Sequence, residues 1–142
     1  MFKKYFNLKC GDQNFCRLYL PNKNSKDIPI IIYCHGWTKP ILGGGRMVGG
    51  APKAVRNLAI KNNIGFLSFD QFGEYRTWGD NRYFTHARWG EGVKNAYDYI
   101  VSSGISRMDL LVALAFQVVR QLLSEWNKNI SNWHLMFLLQ LR

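Results

Sequence analysis

The chain has 142 residues, 47% of them hydrophobic and 15% aromatic, which suits one domain with a packed core. Its formal net charge of +10 admits an anionic partner, but the Lys and Arg residues are scattered apart from Lys3-Lys4. No basic block forms, so nucleic acid is not the expected partner. No apolar run reaches the roughly 18 residues a membrane span needs. The start, Met1 to Cys10, lacks an apolar core of the secretory type, so no signal peptide is expected. Cys10, Cys16 and Cys34 are odd in number and form no C-x-x-C pair. They read as reduced thiols of a cytoplasmic protein.

Lys4 to Lys9 and Phe15 to Leu20 are short strand-like runs, and Gly11-Asp12 between them signals a hairpin. Pro21 to Asp27 is polar and loop-like. Ile30-Ile-Ile-Tyr-Cys34 is a continuous apolar run, suited to a central strand covered on both faces. It ends in His35-Gly36-Trp37. Gly36 lets the main chain turn sharply and brings backbone N–H groups close to a ligand oxygen. In open α/β sheets, ligands sit beyond the carboxyl ends of strands.

The Gly-rich stretch from Gly43 to Gly50 misses G-x-G-x-x-G by one residue, and no G-K-[ST] follows it. It is read as a loop beside a cleft. Ala51 to Asn62 is a helix with Pro52 in its first turn and an apolar stripe of Ala51, Val55, Leu58 and Ala59. Ile64 to Phe69 is the next strand, followed by the turn-rich segment Asp70 to Asp80. Gly90 to Val101 is a second helix, with Val93, Ala96, Tyr97 and Ile100 on one face. His86, just before it, is read as a plain polar residue and not as a base.

Hairpin, polar loop, apolar strand and His35-Gly36 together resemble the entry of α/β-hydrolases. Asp70, Gly73, Gly79 and Asp80 are similar to that family's D-x-x-G…G-D loop, although Glu74-Tyr75 stands where a small residue is usual. The resemblance covers about residues 1–110. It implies an incomplete α/β-hydrolase fold: an N-terminal hairpin and central parallel strands with helices. It also implies an ester or related acyl-bond hydrolase, acting on a small-molecule acyl substrate without metal or organic cofactor. The amides of Gly36 and Trp37 then form half of an oxyanion hole. His35, Asp70 and Gly73 are loop-structural, Asp70 bonding its own turn and not serving as the triad acid.

The pattern breaks near Leu110. The family's fifth strand is expected to begin within Ile105 to Leu110, with a G-x-S-x-G nucleophile elbow soon after. Here the chain reads Leu111-Val-Ala-Leu-Ala-Phe-Gln-Val-Val-Arg120, with neither serine nor glycine. All 13 glycines and all 4 prolines lie at or before Gly104. After Leu110 there is no aspartate, and Ser124, Glu125, Ser131 and His134 crowd together without an elbow. No catalytic residue is intact. Read one base out of frame, synonymous codons permit Gly-Ser-Phe-Ser-Phe-Ser-Gly-Gly at this place. Residues 111–142 therefore read as an aberrant tail, frame-shifted or else a genuine amphipathic helix from about Met108 to Trp126, the tail being helical or irregular. The expectation is a truncated hydrolase, inactive as written. The alternative is a non-catalytic basic module that binds an anionic partner.

Overall fold

A computed structural model describes residues 1–34, 51–73, 76–83, 85–106 and 111–115. Five strands and two α-helices follow in the order β1 (Phe2–Asn7), β2 (Phe15–Leu20), β3 (Ile30–Cys34), α1 (Ala51–Lys61), β4 (Gly65–Phe69), α2 (His86–Ser102) and β5 (Leu111–Ala115). A short 3₁₀ turn, Asn81–Tyr83, precedes α2. The sheet order is β1-β2-β4-β3-β5. The first hairpin and the β2–β4 pair are antiparallel, while β3 runs parallel to both β4 and β5.

Side chains alternate across a strand, so each strand supplies both faces of the sheet. Cys16, Leu18, Leu20, Ile30, Ile32, Cys34, Leu67 and Phe69 form one core with α2. Tyr19, Tyr33 and Phe66 form a second, against which Ile31, Val55 and Ile60 pack. All five residues of β4 are buried. This is why β3 reads as an unbroken apolar run, and β4 as one broken only by the buried Ser68, and neither as an alternating one.

The stripe expected on α2 is the buried one: Val93, Ala96 and Ile100 are at 0% exposure and Tyr97 is buried. The helix begins four residues earlier than expected, at His86. Thr85 caps it, its hydroxyl accepting the Arg88 N–H at 3.1 Å, as a hydroxyl N-cap does. The stripe expected on α1 is corrected. Leu58 is 64% exposed, and the inward face is Val55, Ala59 and Ile60. Val55 and Ala59 lie one turn apart, and Ile60 beside them completes a face that excludes Leu58.

A second correction concerns the tail. Leu111–Ala115 is not helical: it is β5, paired in register with β3 from Ile30↔Leu111 to Cys34↔Ala115. Leu and Ala favour helix by intrinsic propensity, but a five-residue apolar run alongside a parallel strand satisfies its backbone groups through that strand. The strand begins at Leu111, after the window of Ile105 to Leu110. Residues 116–142, the rest of the expected helix or irregular tail, lie outside the described residues.

Candidate functional site

Three parallel strands, β4, β3 and β5, end level with one another at Phe69, Cys34 and Ala115. The edge formed by these carboxyl ends is where an open α/β sheet holds its ligand. His35, Gly36 and Trp37 follow β3 directly in the sequence, and the Gly43 to Gly50 loop follows them. These residues, expected to supply the oxyanion half-site and its support, lie outside the described residues, as do the positions following β5.

The loop after β4 is described, and one carboxylate organises it. Asp70 is 1% exposed. Its oxygens accept two bonds from the Arg17 guanidinium, at 2.6 and 2.9 Å, and one from the Arg76 N–H at 3.3 Å. Its main-chain carbonyl accepts from the Thr77 hydroxyl at 2.7 Å and the Asn14 amide at 3.0 Å. The Thr77 oxygen in turn accepts the Phe15 N–H at 2.9 Å, and Asp70 N–H donates to the Phe15 carbonyl at 2.9 Å. The loop and the start of β2 are thus tied by one connected set of bonds. A half-buried guanidinium loses hydration, which opposes its charge. The hydrogen bond and the charge of Asp70 outweigh this and raise the Arg17 pKa.

Asp70 therefore does more than bond its own turn. Sequence reading missed Arg17, Asn14 and Thr77. A signal was present at one of them: Arg17 sits mid-strand in Phe15-Cys-Arg-Leu-Tyr-Leu20, and a charge inside an apolar strand requires a partner. Nothing local pointed to Asp70, 53 residues away.

Two glycines shape the remainder of this loop. Gly73 has φ 72° and donates its N–H to the Trp78 carbonyl at 3.4 Å, closing the turn in a region costly to other residues. Gly79 has φ 124°, and a Cβ there would lie 2.1 Å from the Phe72 ring. Phe72 is also supported by Arg88, whose guanidinium lies 3.5 Å from the ring centroid and pairs with Asp12 at 2.8 Å. Asp80 pairs with Arg82 on the surface. His86 opens α2.

Cys34, the last residue of β3, is at 0% exposure, and burial pushes its thiol up to about 12. It is a protonated core residue, not a nucleophile, because the thiolate is the reactive form. Burial, aided by the charge of Asp70, pushes Cys16 up to about 12 as well. The consequence is alkaline lability. Below the ordinary thiol value of 9.0, both folded and unfolded chains hold these protons. Between 9 and 12 the unfolded chain releases them and the folded one does not, so stability falls as pH rises through that window. Urea midpoints measured from pH 8 to 11 should fall less steeply for Cys34→Ala than for the parent. Equal slopes would remove Cys34 from this account.

Among the described residues no group of three or more His, Cys, Asp or Glu side chains is placed to hold a metal ion. No helix among them is long and apolar enough to cross a membrane.

No family model and no curated protein matches the chain. Solved structures do. The chain is similar to an α/β serine hydrolase without a lid from Xanthomonas campestris, at 14% identity and TM-score 0.66, over 92% of this chain and 57% of that one. It is similar to Est1E from Butyrivibrio proteoclasticus, solved with ferulic acid bound, at 17% identity and TM-score 0.59, over 78% and 41%. An esterase from Pyrococcus furiosus matches at 16% identity and TM-score 0.60, over 82% and 42%. At these identities the likeness is one of fold, and the chain spans about half the length of the structures it matches.

Proposed function

We propose, from the premise that this chain carries an N-terminal portion of the α/β-hydrolase fold, that it represents an ester or related acyl-bond hydrolase acting on a small molecule, and that the written chain is inactive. The observation supporting the reading is the strand order β1-β2-β4-β3-β5 with three parallel strands ending level. The sequence places His35-Gly36-Trp37 immediately after the middle one. Backbone N–H groups leaving that strand, those of Gly36 and Trp37, are the proposed oxyanion donors. Such donors contribute when they face the oxygen of a tetrahedral intermediate. His35 supports this loop, and the Asp70 knot holds the neighbouring one, so both are structural.

A serine hydrolase of this fold also needs a nucleophile on a strained turn after β5, then an acid, then a histidine. The chain has Phe116-Gln117-Val118 where that turn belongs, with neither serine nor glycine. Donors without a nucleophile have no charge to stabilise, because the members of a triad act as a unit. The proposed origin is a one-base displacement of the reading frame after about Leu110. It accounts for a tail without glycine or proline and restores glycines and a serine at the required place.

The test has two readouts. The 142-residue chain is treated with a fluorophosphonate probe and is expected to remain unlabelled. The coding DNA across Asp109 to Arg120, and downstream of it, is read in the displaced frame. A serine elbow, then an aspartate and finally a histidine are expected there. Covalent labelling at Ser124 or Ser131 overturns inactivity. A stop codon or the absence of those residues in the displaced frame overturns the proposed origin.

A further inference from the structure

On the flank of the sheet, β1, the residues just after it and the second half of α2 line an open-sided cavity of about 390 Å³. That volume lies within the range of small-molecule sites. Its walls are mostly apolar. Leu8 is buried, and the Phe6 and Tyr99 rings meet with centroids 4.5 Å apart. At this ring pair stands Lys4. Its ammonium lies 5.2 Å from the Phe6 centroid and 5.7 Å from that of Tyr99, and donates to the Tyr99 hydroxyl at 3.0 Å. An ammonium carries three N–H donors, so two remain beyond this bond. Lys9 is a second cation in the lining. Neither lysine has an ion-pair partner among the described residues, whereas Asp98, the acid in the lining, is paired with Lys94. The exposed thiol of Cys10 is also part of the lining.

We propose that this cavity is a binding site for a small aromatic carboxylate, its ring against Leu8 and the Phe6–Tyr99 pair and its carboxylate on Lys4. The apolar walls remove the ring from water. The excess of unpaired cation over free anion selects a negative head group. The flat Phe6 and Tyr99 faces favour a planar body, since aromatic rings gain from stacked or edge contacts beyond the area they bury. The residues invoked lie on β1, just after it and on the second half of α2, none of them in the segments directly after β3, β4 or β5, so the site does not depend on the proposed oxyanion region.

Cys10 reports occupancy directly. Cys16 and Cys34 are buried, so iodoacetamide alkylates Cys10 in the folded chain. Hydrocinnamate should slow that alkylation saturably, followed by mass spectrometry. Its neutral amide should protect roughly tenfold more weakly, the loss of one charge-assisted hydrogen bond at an open site. Lys4→Met, an exposed substitution, should abolish the preference for carboxylate over amide. Lys53→Met, on the exposed side of α1, should leave it intact. Each rate is compared with and without ligand in the same variant, which cancels any effect of the substitution on thiol reactivity. The proposal is overturned by the absence of saturable protection, by equal protection from acid and amide, or by a carboxylate preference that survives Lys4→Met.

Discussion

Asp70→Ala is expected to cost about 3–5 kcal/mol of stability, the usual consequence of removing one partner of a buried, hydrogen-bonded ion pair. Arg17 is then left with its charge among apolar neighbours, its side chain 17% exposed. The Arg76 N–H loses its acceptor as well. Domains of this kind have total stabilities of roughly 5–15 kcal/mol, so the variant should be largely unfolded at modest urea concentrations. The physical content lies in the asymmetry. Removing both charges, as in Arg17→Met combined with Asp70→Ala, deletes the uncompensated cation along with its partner. The double variant should therefore lose less than the sum of the two single losses, by about 1 kcal/mol or more, within the coupling expected of contacting residues. Urea denaturation of the four proteins measures this. Strict additivity would show that the Asp70 carboxylate holds the loop through the Arg76 N–H and that Arg17 is incidental.

Trp89→Ala should be comparably severe, at about 3–5 kcal/mol, the range for truncating a large buried aromatic. Trp89 is 1% exposed and belongs to the larger core together with Leu8, Cys16, Phe72 and Val93. It sits one turn before Val93 on the buried stripe of α2. The loss combines the transfer energy of the ring with the cavity it leaves, and neighbouring strand residues cannot close that cavity without moving the sheet. Leu58→Ala on α1 is the matching control. By sequence pattern it belongs to an inward stripe, but its 64% exposure predicts a change within about 0.5 kcal/mol, as for other surface substitutions. Denaturation midpoints at constant slope decide both. A large loss at Leu58, or a small one at Trp89, would mean that the helix faces are wrongly assigned.

Some elements could be read from the chain because their cause is local. Phe15–Leu20 and Ile30–Cys34 are strands with the bounds that their apolar runs suggest. The α2 stripe follows from helical spacing alone. The order of Asp70, Gly73 and Gly79 announced a tight loop, because the positive φ that Gly73 and Gly79 adopt favours glycine. The likeness of these pieces to an α/β-hydrolase entry rested on the same local signals, and the strand order agrees with it.

What local pattern could not contain was set by partners distant in sequence. Leu111–Ala115 has residues that favour helix, yet it is a strand because β3 offers a ladder across about 80 residues. Leu58 points outward because β4 and β2 present a surface to the other side of α1. Arg17 and Asp70, and Lys4 with Tyr99, are neighbours only after the hairpin has been laid against the loop after β4 and against α2. Periodicity reports which face of an element is apolar. It carries no information about which charge, ring or backbone edge will be brought against that face, and here those pairings form the Asp70 knot and the Lys4 cavity.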